Sequence, residues 1–177
     1  LRGKRDLFSI PKDVIYLDGN SLGVLPKATP DAMTDMLLRQ WRQDLIRSWI
    51  SNDWINAPHR IGDKIGRLIG AAEGQVVAAD STSINIFKAL SAASQLNSRR
   101  LVLLSETGNF PTDPYMMEGL ATATGNRMIV ELVKPSRIPD RLAPDVSVLL
   151  LSQIHYKSGE VWDMEEVTHR AHESETL

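Results

Sequence analysis

Short, almost wholly apolar segments that alternate with helical stretches constrain this chain more than any other feature. Gln75 to Ala79, Leu101 to Leu104, Met128 to Val133 and Val146 to Leu151 each read as a strand. Strands without a consistent polar face are buried on both sides, as in a parallel sheet covered by helices. Between them, Thr82 to Leu96 reads as a helix with Ile84, Phe87, Leu90 and Ala93 on one side. Thr112 to Thr124 reads as another, ending at Gly125, and Glu165 to Glu173 as a last one. The fold class is therefore α/β with a mainly parallel sheet, and 177 residues suffice for a domain with a sizeable core.

The first 70 residues follow a different pattern, so the chain divides into an N-terminal segment, 1–70, and a sheet-bearing part, 71–177. Ile15 to Leu17 is a short β-rich stretch, and Asp18-Gly19-Asn20-Ser21 after it is a turn cluster. Thr29-Pro30-Asp31 opens a helix with a hydroxyl cap, proline at the first helical position and a carboxylate in the first turn. Met33, Leu37, Trp41, Leu45 and Trp49 then recur every four residues, an apolar stripe on one helix face. A second helix runs from Pro58 to Ile69 with Ile61, Ile65 and Leu68 inward, and Gly70 stops it.

Composition removes several classes of function. A net charge of −2 gives no reason to expect nucleic acid or an anionic membrane as partner. No apolar run approaches the roughly 20 residues that span a bilayer. With no cysteine there is no disulfide framework or thiolate metal site, which fits a reducing cytoplasm. His169 and His172 share a spacing of three but lack a third ligand, so no metal is expected. The first residue is Leu and the last apolar pattern runs off the end, so the chain reads as a fragment.

In an open parallel sheet, ligands bind at the carboxyl ends of the strands. Asp80-Ser81-Thr82-Ser83 opens a helix there, and free N–H groups, the helix dipole and hydroxyls together suit a phosphate. The same residues also suit an ordinary N-cap. Asn109-Phe110-Pro111-Thr112-Asp113 offers an aromatic beside a carboxylate, fit to orient a flat ring. Equally, Thr112 caps the next helix and Phe110 staples its first turn. Ser152 follows the strand Val146 to Leu151, with Gln153, His155 and Tyr156 close behind. No Gly-x-Gly-x-x-Gly, Walker or Gly-x-Ser-x-Gly pattern occurs.

Taken in order, these groups resemble the kynureninases. Tyr16-Leu17-Asp18-Gly19-Asn20-Ser21-Leu22-Gly23, with Pro26-Lys27 following, is similar to the N-terminal signature of that family. The stretch from Trp41 through Trp49 to Trp54 resembles its tryptophan-bearing segment. Asp80-Ser81-Thr82-Ser83-Ile84-Asn85, Phe110-Pro111-Thr112-Asp113 and Ser152-Gln153-Ile154-His155-Tyr156-Lys157-Ser158-Gly159 resemble its phosphate turn, ring-contacting motif and following segment.

The resemblance implies a type I pyridoxal-phosphate fold with an incomplete large domain, and hydrolysis of L-kynurenine or its 3-hydroxy derivative to anthranilate (or 3-hydroxyanthranilate) and L-alanine. It implies that Thr82 and Ser83 hold the phosphate of pyridoxal 5'-phosphate and that Phe110 stacks on its ring. Pro111, Thr112, Asp113 and Ser152 would complete the cofactor pocket, with Asn20, Ser21 and Trp49 towards the substrate. It also implies a cytoplasmic homodimer of tryptophan catabolism and NAD biosynthesis, with its site at the subunit interface. The family's Schiff-base lysine has no match here: neither Lys88 nor Lys157 has its context, so it is expected beyond Leu177 and the chain alone is expected to be inactive. The competing expectations are a cysteine desulfurase or class V aminotransferase, or a truncated phosphate-binding chain without turnover.

Overall fold

The computed structural model describes residues 3–177, which fall into two compact units, Leu1–Ala78 and Ala79–Leu177. In the first unit, an antiparallel bridge joins Phe8 to Pro26, and the turn after Asp18 forms as expected, with Ser21 N–H bonded to Asp18 O at 3.2 Å. Ile15 to Leu17 pairs with no strand among the described residues. Helix α1 spans Thr29–Asp35. Its N-cap is Ala28 and not Thr29, because Ala28 is already helical (φ −76°, ψ −15°), so no hydroxyl cap is used and Pro30 lies one position further in.

The apolar stripe does not lie on one helix face. After α1 the backbone widens to π geometry over Met36–Trp41, with Arg42 N–H reaching back five residues to Leu37 O at 3.1 Å. The helix then breaks at Leu45, which takes a left-handed φ of 52°. Helix α2, Ser48–Ser51, restarts it briefly. Polar side chains fix the break. Arg39 forks onto both carboxylate oxygens of Asp35 at 2.7 and 2.8 Å and reaches Asn52 Oδ1 at 2.9 Å. Trp54 Nε1 donates to Gln40 Oε1 at 2.7 Å, and the buried Ser48 hydroxyl donates to Gln40 O. The Arg39 bonds, helped by Gln40, hold the Asp35 carboxyl down to about 2. Met33, Leu37, Trp41, Leu45 and Trp49 are all exposed.

Helix α3, Ala57–Ile69, ends at Gly70 in the left-handed region (φ 78°), as its sequence requires. Its inward face is the reverse of the expected one. Ile61, Ile65 and Leu68 are exposed, whereas Gly62 and Gly66 are buried. The absence of side chains on that face lets Val76 and Val77 lie directly on the helix, and Ala78 N–H bonds Pro58 O at 3.1 Å. The segment Gln75 to Ala79 is consequently no strand: it leans on helix α3 instead of joining the sheet.

The second unit is the expected α/β assembly. It comprises α4 (Thr82–Leu96), β1 (Val102–Glu106), α5 (Thr112–Ala123), β2 (Ile129–Val133), α6 (Ile138–Arg141), β3 (Val146–Leu150) and α7 (Met164–Glu173). The three strands are parallel in the order β2-β1-β3. Val102 to Glu106 faces Ile129 to Val133 in register, and Leu103 faces Val148. Central β1 is buried at every residue. Alternation along the strands feeds two cores. Leu103 and Val148 pack with Leu90 of α4 and Met117 and Leu120 of α5. Val102, Leu104 and Val146 face the other way, against Ile138 of α6 and Val167 of α7. On α4, Ile86, Phe87, Leu90 and Ala93 turn inward, while Ile84 stays exposed. No described helix is long and apolar enough to cross a membrane.

Candidate functional site

Loops leaving the carboxyl ends of β1 and β3 meet the N-terminus of α4 in an open cleft of about 430 Å³, within the range of small-molecule sites. Its lining is Ser81, Thr82, Ser83, Phe110, Thr112, Asp113 and Ser152. Six of these seven are residues that the sequence marks as cofactor contacts. The exceptions run both ways. Pro111 is the N-cap of α5 and does not line the cleft, and Ser81 lines it without having been singled out beyond its turn.

Asp80 takes a left-handed φ of 42° and turns the chain into α4, its carboxylate ion-paired with Lys88. Ser81 is the N-cap, with Oγ accepting from Ile84 N–H at 3.4 Å and its carbonyl from Asn85 N–H at 2.9 Å. The cap and anion readings of this turn are thus compatible. Ser81 serves the cap, which leaves the Thr82 and Ser83 amides without intrahelical partners at the positive end of a four-turn helix. Both residues line the same opening.

Phe110 is about half exposed (48%). Its ring meets Tyr156 edge-on, with centroids 5.2 Å apart, and Lys157 Nζ lies 5.3 Å from the Tyr156 centroid. Thr112 does not cap α5: its hydroxyl donates to Asp113 Oδ1 at 3.4 Å. Burial pushes the Asp113 carboxyl above its ordinary range, against the smaller lowering effect of Thr112. Ser152 Oγ donates to Asn109 Oδ1 at 2.8 Å. Asn20 and Ser21 occupy the exposed turn of the first unit, and in that unit Trp49 packs edge-on against Trp54 with centroids 6.3 Å apart.

A backbone-rich anion seat, an aromatic face and a buried carboxyl suit a phosphorylated planar ring. Among the described residues, no group of three or more His, Cys, Asp or Glu side chains is placed to hold a metal ion. His169 pairs instead with Glu173 at 3.3 Å.

No family model matches the chain. Among curated proteins it is similar to a kynureninase of Pseudomonas fluorescens, with 41% identity over 178 residues, and to one of Deinococcus radiodurans, with 42% over 177. A kynureninase of Burkholderia pseudomallei is 38% identical over 178 residues. These matches cover 97–98% of this chain and 43% of each relative, so the chain spans a little under half the length of the proteins that it matches.

Proposed function

We propose that this chain is the N-terminal, cofactor-holding part of a kynureninase, a type I pyridoxal-phosphate enzyme that hydrolyses L-kynurenine to anthranilate and L-alanine. The observation that carries the reading is the convergence of Thr82, Ser83, Phe110, Thr112, Asp113 and Ser152 on one cleft at the carboxyl ends of parallel strands. Relatives of that name at 38–42% identity support it independently.

When bound, pyridoxal phosphate supplies the electron sink of the reaction. The residues of this chain bind and orient. The Thr82 and Ser83 amides and hydroxyls, aided by the dipole of α4, hold the phosphate. Lys88 neutralises Asp80, the carboxylate nearest in sequence to that seat, and so lessens its repulsion of an anion. Phe110 limits the tilt of the ring, which keeps the reacting bond aligned. Asp113, favoured in its neutral form by burial, offers a carboxyl hydrogen-bond partner beside it. Asn20, Ser21 and Trp49 are the residues that the family resemblance assigns to the aryl ketone amino acid, kynurenine or its 3-hydroxy derivative. The active form is a cytoplasmic homodimer with its site at the interface, in tryptophan catabolism leading to NAD. Exposure of Trp41, Ile46, Trp49 and Ile50 is in keeping with surfaces that further protein covers.

The test is a chimera in which these 177 residues replace the matching part of the Pseudomonas fluorescens kynureninase, with anthranilate release from L-kynurenine followed by fluorescence. Release that is lost in the Thr82→Ala/Ser83→Ala variant is expected, together with none from the 177-residue chain alone. A soluble chimera that takes up pyridoxal phosphate but releases no anthranilate refutes the proposal, as does release by the chain alone.

A further inference from the structure

One buried side chain ties together the two loops that carry Phe110 and Ser152. Asn109 is 5% exposed and lies between β1 and α5. Its Oδ1 accepts two hydrogen bonds, from Phe110 N–H at 2.7 Å and from the Ser152 hydroxyl at 2.8 Å. Its Nδ2 donates to Ser105 Oγ at 3.3 Å, and the Ser105 hydroxyl donates in turn to Leu150 O at 2.7 Å. A continuous chain of bonds therefore runs from the end of β3, through the end of β1, to the backbone beside the aromatic ring and to the hydroxyl across the cleft. The amide orientation is fixed by this pattern. Oδ1 faces two donors, whereas Ser105, having given its proton to Leu150, can only accept.

We infer that Asn109 is a positioning residue that sets the ring-facing half of the cleft, Phe110 and Ser152, and not the phosphate-facing half. Thr82 and Ser83 stand on α4 and share no hydrogen bond with Asn109. A second consequence concerns Ser152. Its proton is committed to Asn109, so it turns only lone pairs to the cleft and receives a hydrogen-bond donor from whatever binds there. This rests on the reading of the cleft as a site for a phosphorylated ring.

The test compares two probes on the 177-residue chain by calorimetry. Pyridoxamine 5'-phosphate carries ring and phosphate and cannot couple covalently to a lysine, and inorganic phosphate carries the anion alone. The wild-type chain is expected to prefer the ring-bearing probe. Asn109→Ala is expected to weaken that probe about tenfold while phosphate binding stays within about twofold. Asn109→Asp retains the accepting oxygen but loses the donor to Ser105, which can only accept, so it is expected to weaken the ring-bearing probe selectively as well. Ser105→Ala lies outside the cleft lining and removes the anchor of the amide, so it weakens the ring-bearing probe in the same selective way. It also decides the matter if Asn109→Ala fails to fold. Equal binding by wild type and these variants overturns the inference, as does a proportional loss for both probes, the mark of general damage. Absence of binding of either probe to the wild-type chain overturns the reading of the cleft itself.

Discussion

Two glycines four residues apart on α3 are expected to answer the same substitution with opposite signs. Replacing glycine by alanine within a helix gains about 1 kcal/mol from backbone propensity alone. At Gly66 little opposes that gain. An added Cβ would meet Ala71 O and Val76 Cγ2 at 3.5 Å, which is ordinary contact. At Gly62 the same Cβ would fall 2.0 Å from Val76 O and 2.5 Å from Val76 C. Relief needs a backbone shift of about 1 Å in a segment pinned by the Ala78–Pro58 bond, and overpacking of this kind costs about 1–3 kcal/mol. Since backbone and not a flexible side-chain end obstructs, the upper figure applies, leaving Gly62→Ala about 2 kcal/mol less stable. Gly66→Ala should be up to about 1 kcal/mol more stable. Urea unfolding followed by tryptophan fluorescence reads both, because Trp41, Trp49 and Trp54 lie in the same unit as α3. A Gly62→Ala chain at least as stable as wild type would refute the close packing of Val76 on this face.

Two further outcomes concern the second unit. Trp162 Nε1 donates to Glu106 Oε2 at 3.1 Å, and Oε1 of Glu106, a residue 1% exposed, has no partner among the described residues. Trp162→Phe therefore leaves the carboxyl group wholly unpartnered and should cost about 1–3 kcal/mol in urea unfolding. The cost should shrink in a Glu106→Leu background, and a cost that is unchanged there would trace the loss to packing alone. Asp113 gives a pH signature. Burial raises its folded-state pKa above 3.8, so wild-type stability should fall as pH rises from 3.8 through the raised value. Asp113→Asn lacks that fall, so its advantage over wild type should widen from about pH 3 to about pH 7. An advantage independent of pH would contradict a buried, titrating Asp113.

What could be read from the sequence divides along physical lines. Strands β1 and β3 were legible because burial on both faces demands apolar runs, and the helix beginning at Thr82 because Ser81 is a good cap; β2 was legible from its apolar residues, although as an edge strand it is exposed or half-buried throughout. Phe110, Thr112, Asp113 and Ser152 were legible because parallel topology sends the loops after β1 and β3 to one edge, whereas Thr82 and Ser83 were reached through Gln75 to Ala79, which is no strand. Patterns that depend on polar partners or on missing side chains were not. The fours spacing from Met33 to Trp49 looks like a helix stripe, yet Arg39, Gln40, Ser48 and Trp54 bond across it and end the helix. Hydrophobic periodicity chose Ile61, Ile65 and Leu68 on α3, whereas the packed face is the one where Gly62 and Gly66 present nothing. Asn109 was visible only as a neighbour of Phe110. A polar residue between a buried strand end and a site aromatic was the available signal, but its partners Ser105 and Ser152 come together only in three dimensions.

The most direct test of the cofactor cleft is an amide chemical-shift titration of the chain with pyridoxamine 5'-phosphate. Saturable shifts concentrated at Ser81 to Ser83, Phe110, Thr112, Asp113 and Ser152 are expected, with those at Ser81 to Ser83 reproduced by inorganic phosphate. Shifts gathered instead around the separate cleft lined by Lys134, Pro135, His155 and Trp162, or no saturable shifts at all, would contradict it.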